Sequence, residues 1–289
     1  MLDGKIIAGL RVSLAGRFLY RFLPIRKRVV KQNIRLAFNH LSEKEQSRLA
    51  KAFYSHLATF IKELFLISWC REEKLRAQIE LRGVEHLTTA HEQGRGVIML
   101  VGHLGNWEFG PLLGLPTIES CHGHFSMIRR SIRNKWLENI LFQRFQKAGI
   151  NVISNRQALK KLPSVLVKKG IIMYTMDQHA DVKSNDGIAI EFFGTKAGTY
   201  KSLAFFVHRK KLPVVPSTTY RLPNGKHVVE FLPALEWQDH ADLNQAIYEN
   251  TRIYNQTLET MILAHPEQWY CWLHRRWKLT YDYGRRTAS

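Results

Sequence analysis

The residues best placed to do chemistry lie in the run Val101-Gly102-His103-Leu104-Gly105-Asn106-Trp107-Glu108. An imidazole titrates near neutral pH, and a carboxylate bonded to one ring nitrogen fixes the tautomer that leaves the other nitrogen free to accept a proton. His103 with Glu108 holding its ring would make such a base. In a continuous helix Glu108 would be rotated by about 140° from His103 and out of reach. A strand ending at His103, a turn at Gly105 and a helix starting near Asn106 brings the two together. It also puts His103 outside the carboxyl end of a strand, where open α/β sheets build their sites. The bland alternative is a core histidine bonded to backbone.

The elements needed to position that pair are legible in the surrounding pattern. Residues 96–101, 125–128, 151–153, 171–176 and 213–219 are short β-branched or apolar runs. Helical segments at 135–146, 157–168 and 200–208 separate them, and alternation of this kind predicts an α/β fold with a largely parallel central sheet flanked by helices. Pro223-Asn224-Gly225-Lys226 predicts one antiparallel hairpin toward one side of the sheet. A long helix is expected over 243–264. Ser42 and Glu45 form a capping-box signature before Leu49, Phe53, Leu57, Phe60 and Leu64, which predicts a helix over 42–69.

The N-terminal third, residues 1–75, reads as a helical membrane-associating subdomain, and residues 76–289 as the α/β domain. A helix over 4–23 ending at Pro24 would gather Arg11, Arg17 and Arg21 on one side, with Phe18 and Phe22 among its apolar residues. Arg26, Lys27 and Arg28 follow directly. This fits a helix lying in a membrane interface, and equally an ordinary packed helix with a solvated basic end.

Forty-three Lys and Arg against 24 Asp and Glu give a formal charge of +19 and point to a polyanionic partner. Cys70, Cys121 and Cys271 lie far apart with no metal-ligand spacing, which argues against a disulfide framework or a zinc site. No stretch reaches the roughly 18–20 apolar residues that span a bilayer. The positive charge is spread along the chain without a nucleic-acid-binding motif, so no nucleic acid is expected.

The run Gly102 to Glu108 resembles the His-x4-acid motif of the lipid A biosynthesis acyltransferases, the late or secondary lauroyl and myristoyl transferases of the glycerolipid acyltransferase superfamily. The resemblance continues in order through Arg130 with Asn134, Asp177-Gln178, Phe192-Phe193-Gly194, Pro213 to Pro216, and Pro266-Glu267-Gln268-Trp269 on to Trp272, His274, Arg275, Arg276, Trp277 and Lys278. Ser131 and Glu191 stand where the family commonly has proline.

The resemblance implies transfer of a fatty acyl group from an acyl carrier protein thioester to the hydroxyl of a 3-hydroxyacyl chain. That chain sits on an anionic lipid A precursor of the Kdo-lipid IVA type, at the cytoplasmic face of the inner membrane. His103 would remove the hydroxyl proton, with no cofactor, metal or enzyme nucleophile required. Arg130 offers two parallel hydrogen bonds to phosphate, with Asn134 and Gln178 beside it as acceptor contacts. Asp177 would orient an arginine or the acceptor, or else cap a loop. Arg275 and Arg276 would bind phosphate, or else lock the C-terminal segment to the core. The alternatives are a related acyltransferase acting on another glycolipid or a lysophospholipid, and a basic nucleic-acid-binding protein.

Overall fold

The computed structural model describes residues 2–23, 25–129, 135–155 and 158–282. Arg130 and Asn134 lie outside the described residues.

The expected helix over 4–23 is two helices, α1 (Gly4–Gly9) and α2 (Leu14–Phe22). The break has a local cause. Ser13 adopts an extended conformation and its side chain accepts from the Gly16 amide, so a new helix starts there. The Arg48 guanidinium meanwhile caps the first helix through the carbonyls of Ile7, Ala8 and Leu10. Arg11 therefore falls in the break, off the α2 face, and donates to the Pro223 carbonyl at 3.0 Å. Gly16 packs so closely on Ser55 that a Cβ would overlap it.

The basic run after Pro24 continues into α3 (Lys27–Ala37), whose buried Val29, Val30, Asn33 and Ile34 lie one helical turn apart. Its Asn33 side chain donates to the carbonyls of Trp272 and His274. Helix α4 (Glu43–Trp69) starts at the expected capping box, with Ser42 and Glu45 bonded to each other's backbone amides.

The α/β part follows in chain order as α5 (Glu72–Arg76), β1 (Ile79–Arg82), α6 (Val84–Glu92), β2 (Val97–Val101), α7 (Phe109–Gly114), β3 (Phe125–Arg129), α8 (Lys135–Lys147), β4 (Asn151–Ser154), α9 (Ala158–Val167), β5 (Ile171–Thr175), β6 (Gly187–Phe192), β7 (Thr195–Tyr200), α10 (Ser202–Lys210), β8 (Val214–Arg221), β9 (His227–Phe231) and α11 (Leu243–Ala264). Seven strands form the central sheet in the order β1-β9-β8-β2-β5-β3-β4. All neighbours are parallel except β8 and β9, the hairpin expected at Pro223 to Lys226. A separate antiparallel hairpin joins β6 to β7. Its turn falls at Phe193 and Gly194, both at positive φ, the backbone that tight hairpins require.

Alternate side chains of each strand feed different cores. Ile98, Leu100, Ile172 and Val214 join the N-terminal helices, α10, α11 and three buried tryptophans, Trp269, Trp272 and Trp277. Val97, Met99, Ile171, Met173, Val215 and Val229 face α5, α6 and α7 on the other side. The N-terminal helices thus share one core with the C-terminal segment.

Candidate active site

Strands β2 and β5 are parallel neighbours, with Val101 opposite Thr175. Two residues further along each chain stand His103 and Asp177, so the sheet register itself brings them face to face. His103 Nδ1 bonds Asp177 Oδ1 at 2.8 Å, and the His103 backbone amide donates to Oδ2 at 2.8 Å. The Trp269 indole donates to the same Oδ2 at 2.8 Å. A carboxylate with three N–H groups on it needs no water.

Asp177 is fully buried, which by itself would raise its pKa. The His103 charge and the bonds from His103 and Trp269 outweigh that and hold it below the ordinary carboxylate range. Burial likewise lowers the His103 pKa, but Asp177, by charge and hydrogen bond, raises it above 6.5 on balance, and Glu108 adds to the rise. Asp177 accepts and cannot donate, so Nδ1 carries the proton and Nε2 presents its lone pair. The His103 side chain keeps 20% of its surface. Gln178 reaches that open side, its Nε2 3.5 Å from His103 Nε2.

The contact expected between His103 and Glu108 is not made. Glu108 sits at the start of α7 and takes a bidentate bond from Arg129, at 2.6 and 3.0 Å. Arg129 ends β3, two strands away from β2, and its fork fits a carboxylate better than the ring of His103 does. The imidazole-orienting carboxylate is Asp177, and Glu108 acts on His103 only by its charge. Arg129 is the partner of Glu108.

The turn between them is built as expected around Gly105, at φ +56°, where a Cβ would run into the Thr219 carbonyl. The C-terminal segment closes the site from above. Tyr270 donates its amide to the His103 carbonyl at 2.9 Å, and Leu104 pairs with Trp269 as an isolated bridge. Trp107, Phe60 and Tyr270 form an aromatic collar beside His103, with the Trp107 ring 5.3 Å from the imidazole and 4.5 Å from Phe60.

Cys271 comes within 3.6 Å of His103 Nδ1. The nitrogen it faces is already engaged by Asp177, and burial pushes its thiol pKa well up. It is placed as a neutral neighbour, not as a nucleophile. These three side chains have metal-capable atoms within 4.8 Å of one another. The 2.8 Å contact inside the group is a hydrogen bond from the imidazole Nδ1–H to the carboxylate.

Arg276, expected among the phosphate contacts, is fully buried. It donates to the Gly198 carbonyl and to Thr199 Oγ1, and lies over the Phe192 ring. It locks the C-terminal segment onto the β6–β7 hairpin and is closed to a ligand. Arg275 is partly buried, and its Nε has no hydrogen-bond partner among the described residues. Arg26 and Lys278 both act by charge on His274, which burial and these cations hold near pKa 4 against the pull of Asp177.

From His103 a narrow cavity of about 50 Å³ runs along the sheet face under α7. Met99, Val101, Met127, Met173 and Val229 form its floor, and Pro111 and Leu115 its roof.

On α2 the inward face carries Gly16, Leu19 and Tyr20. Leu14, Phe18 and Phe22 point outward, with exposures of 82%, 54% and 63%, flanked by Arg17 and Arg21. Leu23, Ile25, Arg26 and Arg28 are exposed beyond it, while Lys27 folds back over the Tyr20 ring at 4.0 Å. No helix among the described residues is long and apolar enough to cross a membrane.

A sequence model of the family described as bacterial lipid A biosynthesis acyltransferase matches residues 8–279. The chain is 25% identical over 248 residues to a lipid A biosynthesis acyltransferase of Haemophilus influenzae, covering 83% of this chain and 72% of that protein. It is 26% identical to the lipid A biosynthesis lauroyltransferase of Escherichia coli, covering 91% and 82%. To the palmitoleoyltransferase of the same organism it is 25% identical, covering 93% and 83%.

Proposed function

Since this chain belongs to the bacterial lipid A biosynthesis acyltransferase family, we propose that it moves a fatty acyl group from an acyl carrier protein thioester to a hydroxyl of a lipid A precursor, with His103 as the base. The observation that carries the reading is the imidazole itself. Its Nδ1 is fixed on a buried carboxylate, its Nε2 has the Gln178 amide 3.5 Å away, and the ring lines an apolar cavity.

In this scheme the acceptor hydroxyl of a 3-hydroxyacyl chain binds against His103 Nε2. The ring takes its proton as the oxygen attacks the thioester carbonyl. Asp177 stabilises the imidazolium that forms, as its position behind Nδ1 allows. The tetrahedral intermediate collapses with cleavage of the carbon–sulfur bond, and the imidazolium returns the proton to the departing thiolate. The Gln178 amide beside the base and the Arg129 guanidinium held on Glu108 are the donors proposed for the oxyanion. The fatty chain would enter the methionine-lined cavity, whose flexible side chains can move aside to lengthen it.

A chain charge of +19 suits an acidic carrier protein and anionic lipid headgroups. The outward Leu14, Phe18 and Phe22 with Arg17 and Arg21 suit α2 to lie on the inner-membrane surface, at its cytoplasmic face. Arg275, Arg26 and Lys278 are the cations proposed for the acceptor's phosphates, with Arg130 and Asn134 from outside the described residues.

The test is mass spectrometry of products from purified enzyme given acyl carrier protein thioesters of several lengths and a panel of acceptors. Acylation of the lipid A precursor at a 3-hydroxyacyl chain is expected. Transfer to a lysophospholipid or another glycolipid instead would refute the acceptor, and no acyl transfer with active protein would refute the whole reading.

A further inference from the structure

Behind the catalytic turn lies a second polar cluster that the chemistry above leaves unused. Three groups hold Gly105 and Asn106, the residues between His103 and Glu108. The Gln268 carbonyl accepts from the Gly105 amide at 3.0 Å. His56 Nε2 meets the Gly105 carbonyl at 3.2 Å. Glu63 Oε2 accepts from the Asn106 side chain at 2.9 Å, while the Asn106 side-chain oxygen caps the Phe109 amide that starts α7.

All three anchors meet on one residue. Arg221, at the end of β8, donates to Glu63 through Nε at 2.6 Å and Nη2 at 2.7 Å. Its Nη1 lies 3.2 Å from His56 Nδ1, and its backbone amide and carbonyl are both taken by the Gln268 side chain, at 2.8 and 3.0 Å. We propose that Arg221 is the positioning residue of the catalytic turn, setting His103 at its working distance through His56, Glu63 and Gln268.

The hydrogen-bond polarity supports this. A guanidinium only donates, so His56 Nδ1 must accept from it. The proton of that ring then sits on Nε2, the nitrogen that faces a carbonyl oxygen able only to accept. Arg221 thereby chooses the one His56 tautomer that can hold Gly105. Its fork likewise fixes both Glu63 oxygens, leaving Oε2 aimed at Asn106. The cluster is built for fixed geometry: Asn106 is fully buried, and the Glu63 and Arg221 side chains keep 9% and 13% of their surface. Lysine carries the same charge and keeps the main-chain bonds to Gln268, but it lacks the planar fork that spans both Glu63 oxygens and His56 Nδ1 together.

The inference rests on His103 being the base, so the experiment reads that residue in two ways. Arg221→Lys is compared with the unaltered protein in steady-state acyl transfer, and by nitrogen NMR of labelled histidine across a pH series. A displacement of about 1 Å in a reacting group costs on the order of 100-fold. We expect kcat lower by roughly 10- to 100-fold, KM for the acyl donor within about twofold, and a lower His103 pKa as its tie to Asp177 loosens. A kcat within twofold of the unaltered protein overturns the proposal, as does a loss of kcat that only tracks the folded fraction. If Arg221→Lys does not fold, His56→Leu and His56→Gln decide. The glutamine can accept from Arg221 and donate to Gly105, and it must recover most of what leucine loses; equal activities overturn the proposal. If the unaltered protein transfers no acyl group, the functional reading has failed. The NMR series then still reports whether Arg221 holds the His103–Asp177 pair, and an unmoved His103 titration in Arg221→Lys overturns the positioning role.

Discussion

Replacing Asp177 with asparagine changes one atom and should remove nearly all turnover. The carboxylate takes two N–H groups on Oδ2, from the His103 amide and the Trp269 indole, and one on Oδ1, from His103 Nδ1. Asparagine has one acceptor oxygen and one amide that only donates. If its oxygen takes the Oδ2 place, two buried donors stay satisfied and the amide faces Nδ1. If it turns the other way, two buried N–H groups lose their acceptor, at about 1–3 kcal/mol each. The first orientation therefore wins by a few kcal/mol, and it forces Nδ1 to accept. The ring proton moves to Nε2, where the lone pair was needed. A wrong tautomer of this kind costs about 10⁴-fold in a Ser-His-Asp hydrolase, or about 5.5 kcal/mol of barrier. Here kcat should fall by roughly 10³- to 10⁴-fold with KM little changed. The assay is steady-state transfer, with the His103 tautomer read by nitrogen NMR and the fold checked by its melting temperature. A folded Asp177→Asn protein retaining more than about a tenth of the unaltered kcat would show that the carboxylate does not set the tautomer.

Other outcomes follow from the structure. Because His103 must be neutral to act and its pKa is raised, kcat/KM should fall on acidification through a pKa above 6.5, seen in a pH–rate profile. In stability the signs oppose. The raised His103 contributes fully below about pH 6.5 and loses its share as pH rises through its folded value, whereas the lowered Asp177 contributes above about pH 3.9 and loses its share as pH falls through its own. Glu108→Gln frees Arg129 and removes a nearby charge but leaves the Asp177 bond, so kcat should fall about 10- to 100-fold, well short of the loss in Asp177→Asn. Met173→Phe narrows the cavity floor and should shift donor preference to shorter chains, by about 0.8 kcal/mol, or roughly fourfold, for each methylene no longer accommodated, read by competition between two thioesters. Phe18→Ser with Phe22→Ser removes two outward rings worth about 1.5–3 kcal/mol each in an apolar phase, so sedimentation with anionic vesicles should drop by more than tenfold while activity on detergent-dispersed acceptor persists.

The run from Gly102 to Glu108 made the proposed base, the turn and their place at a strand end legible, because each depends on residues a few positions apart. The partner of His103 did not show, since Asp177 is 74 residues away and meets it only through the β2–β5 register. Aligning the two apolar runs, 97–101 on 171–175, would have placed His103 opposite Asp177, but nothing local says that these strands are neighbours. The same limit applies to Trp269, read as part of a family signature and not as a donor to the site. Helix α3 was hidden by charge: its first two residues, Lys27 and Arg28, read as part of a basic cluster, and the four-residue repeat of its buried side was overlooked. The break before α2 depends on Arg48, a tertiary partner capping α1. The β6–β7 hairpin was missed because Phe193, a poor residue for positive φ, stands where Asn or Gly would have marked the turn.

Two buried carboxylates lie on opposite sides of the catalytic turn, and their partners explain why they behave differently. Asp177 is balanced by an imidazole that can gain or lose a proton, with an indole and an amide completing its shell. Glu63 is held near pKa 2: burial opposes ionisation, but bonds from His227 and Arg221 prevail. Its shortest bonds go to the Arg221 guanidinium, at 2.6 and 2.7 Å. A carboxylate paired with a titrating group suits proton transfer, because a charge change on the partner is what it stabilises. One paired with a permanent cation suits alignment, because its geometry does not alter when a proton moves nearby. Exchanging the partners would fail at both places: an arginine on Asp177 would leave no base, and a histidine in place of Arg221 could not bond Glu63, His56 and the turn's anchors at once. The division between a side that moves protons and a side that holds distance is therefore set by which cation each carboxylate meets, and Asn106 and Gly105, tied to the second, carry that alignment to the first.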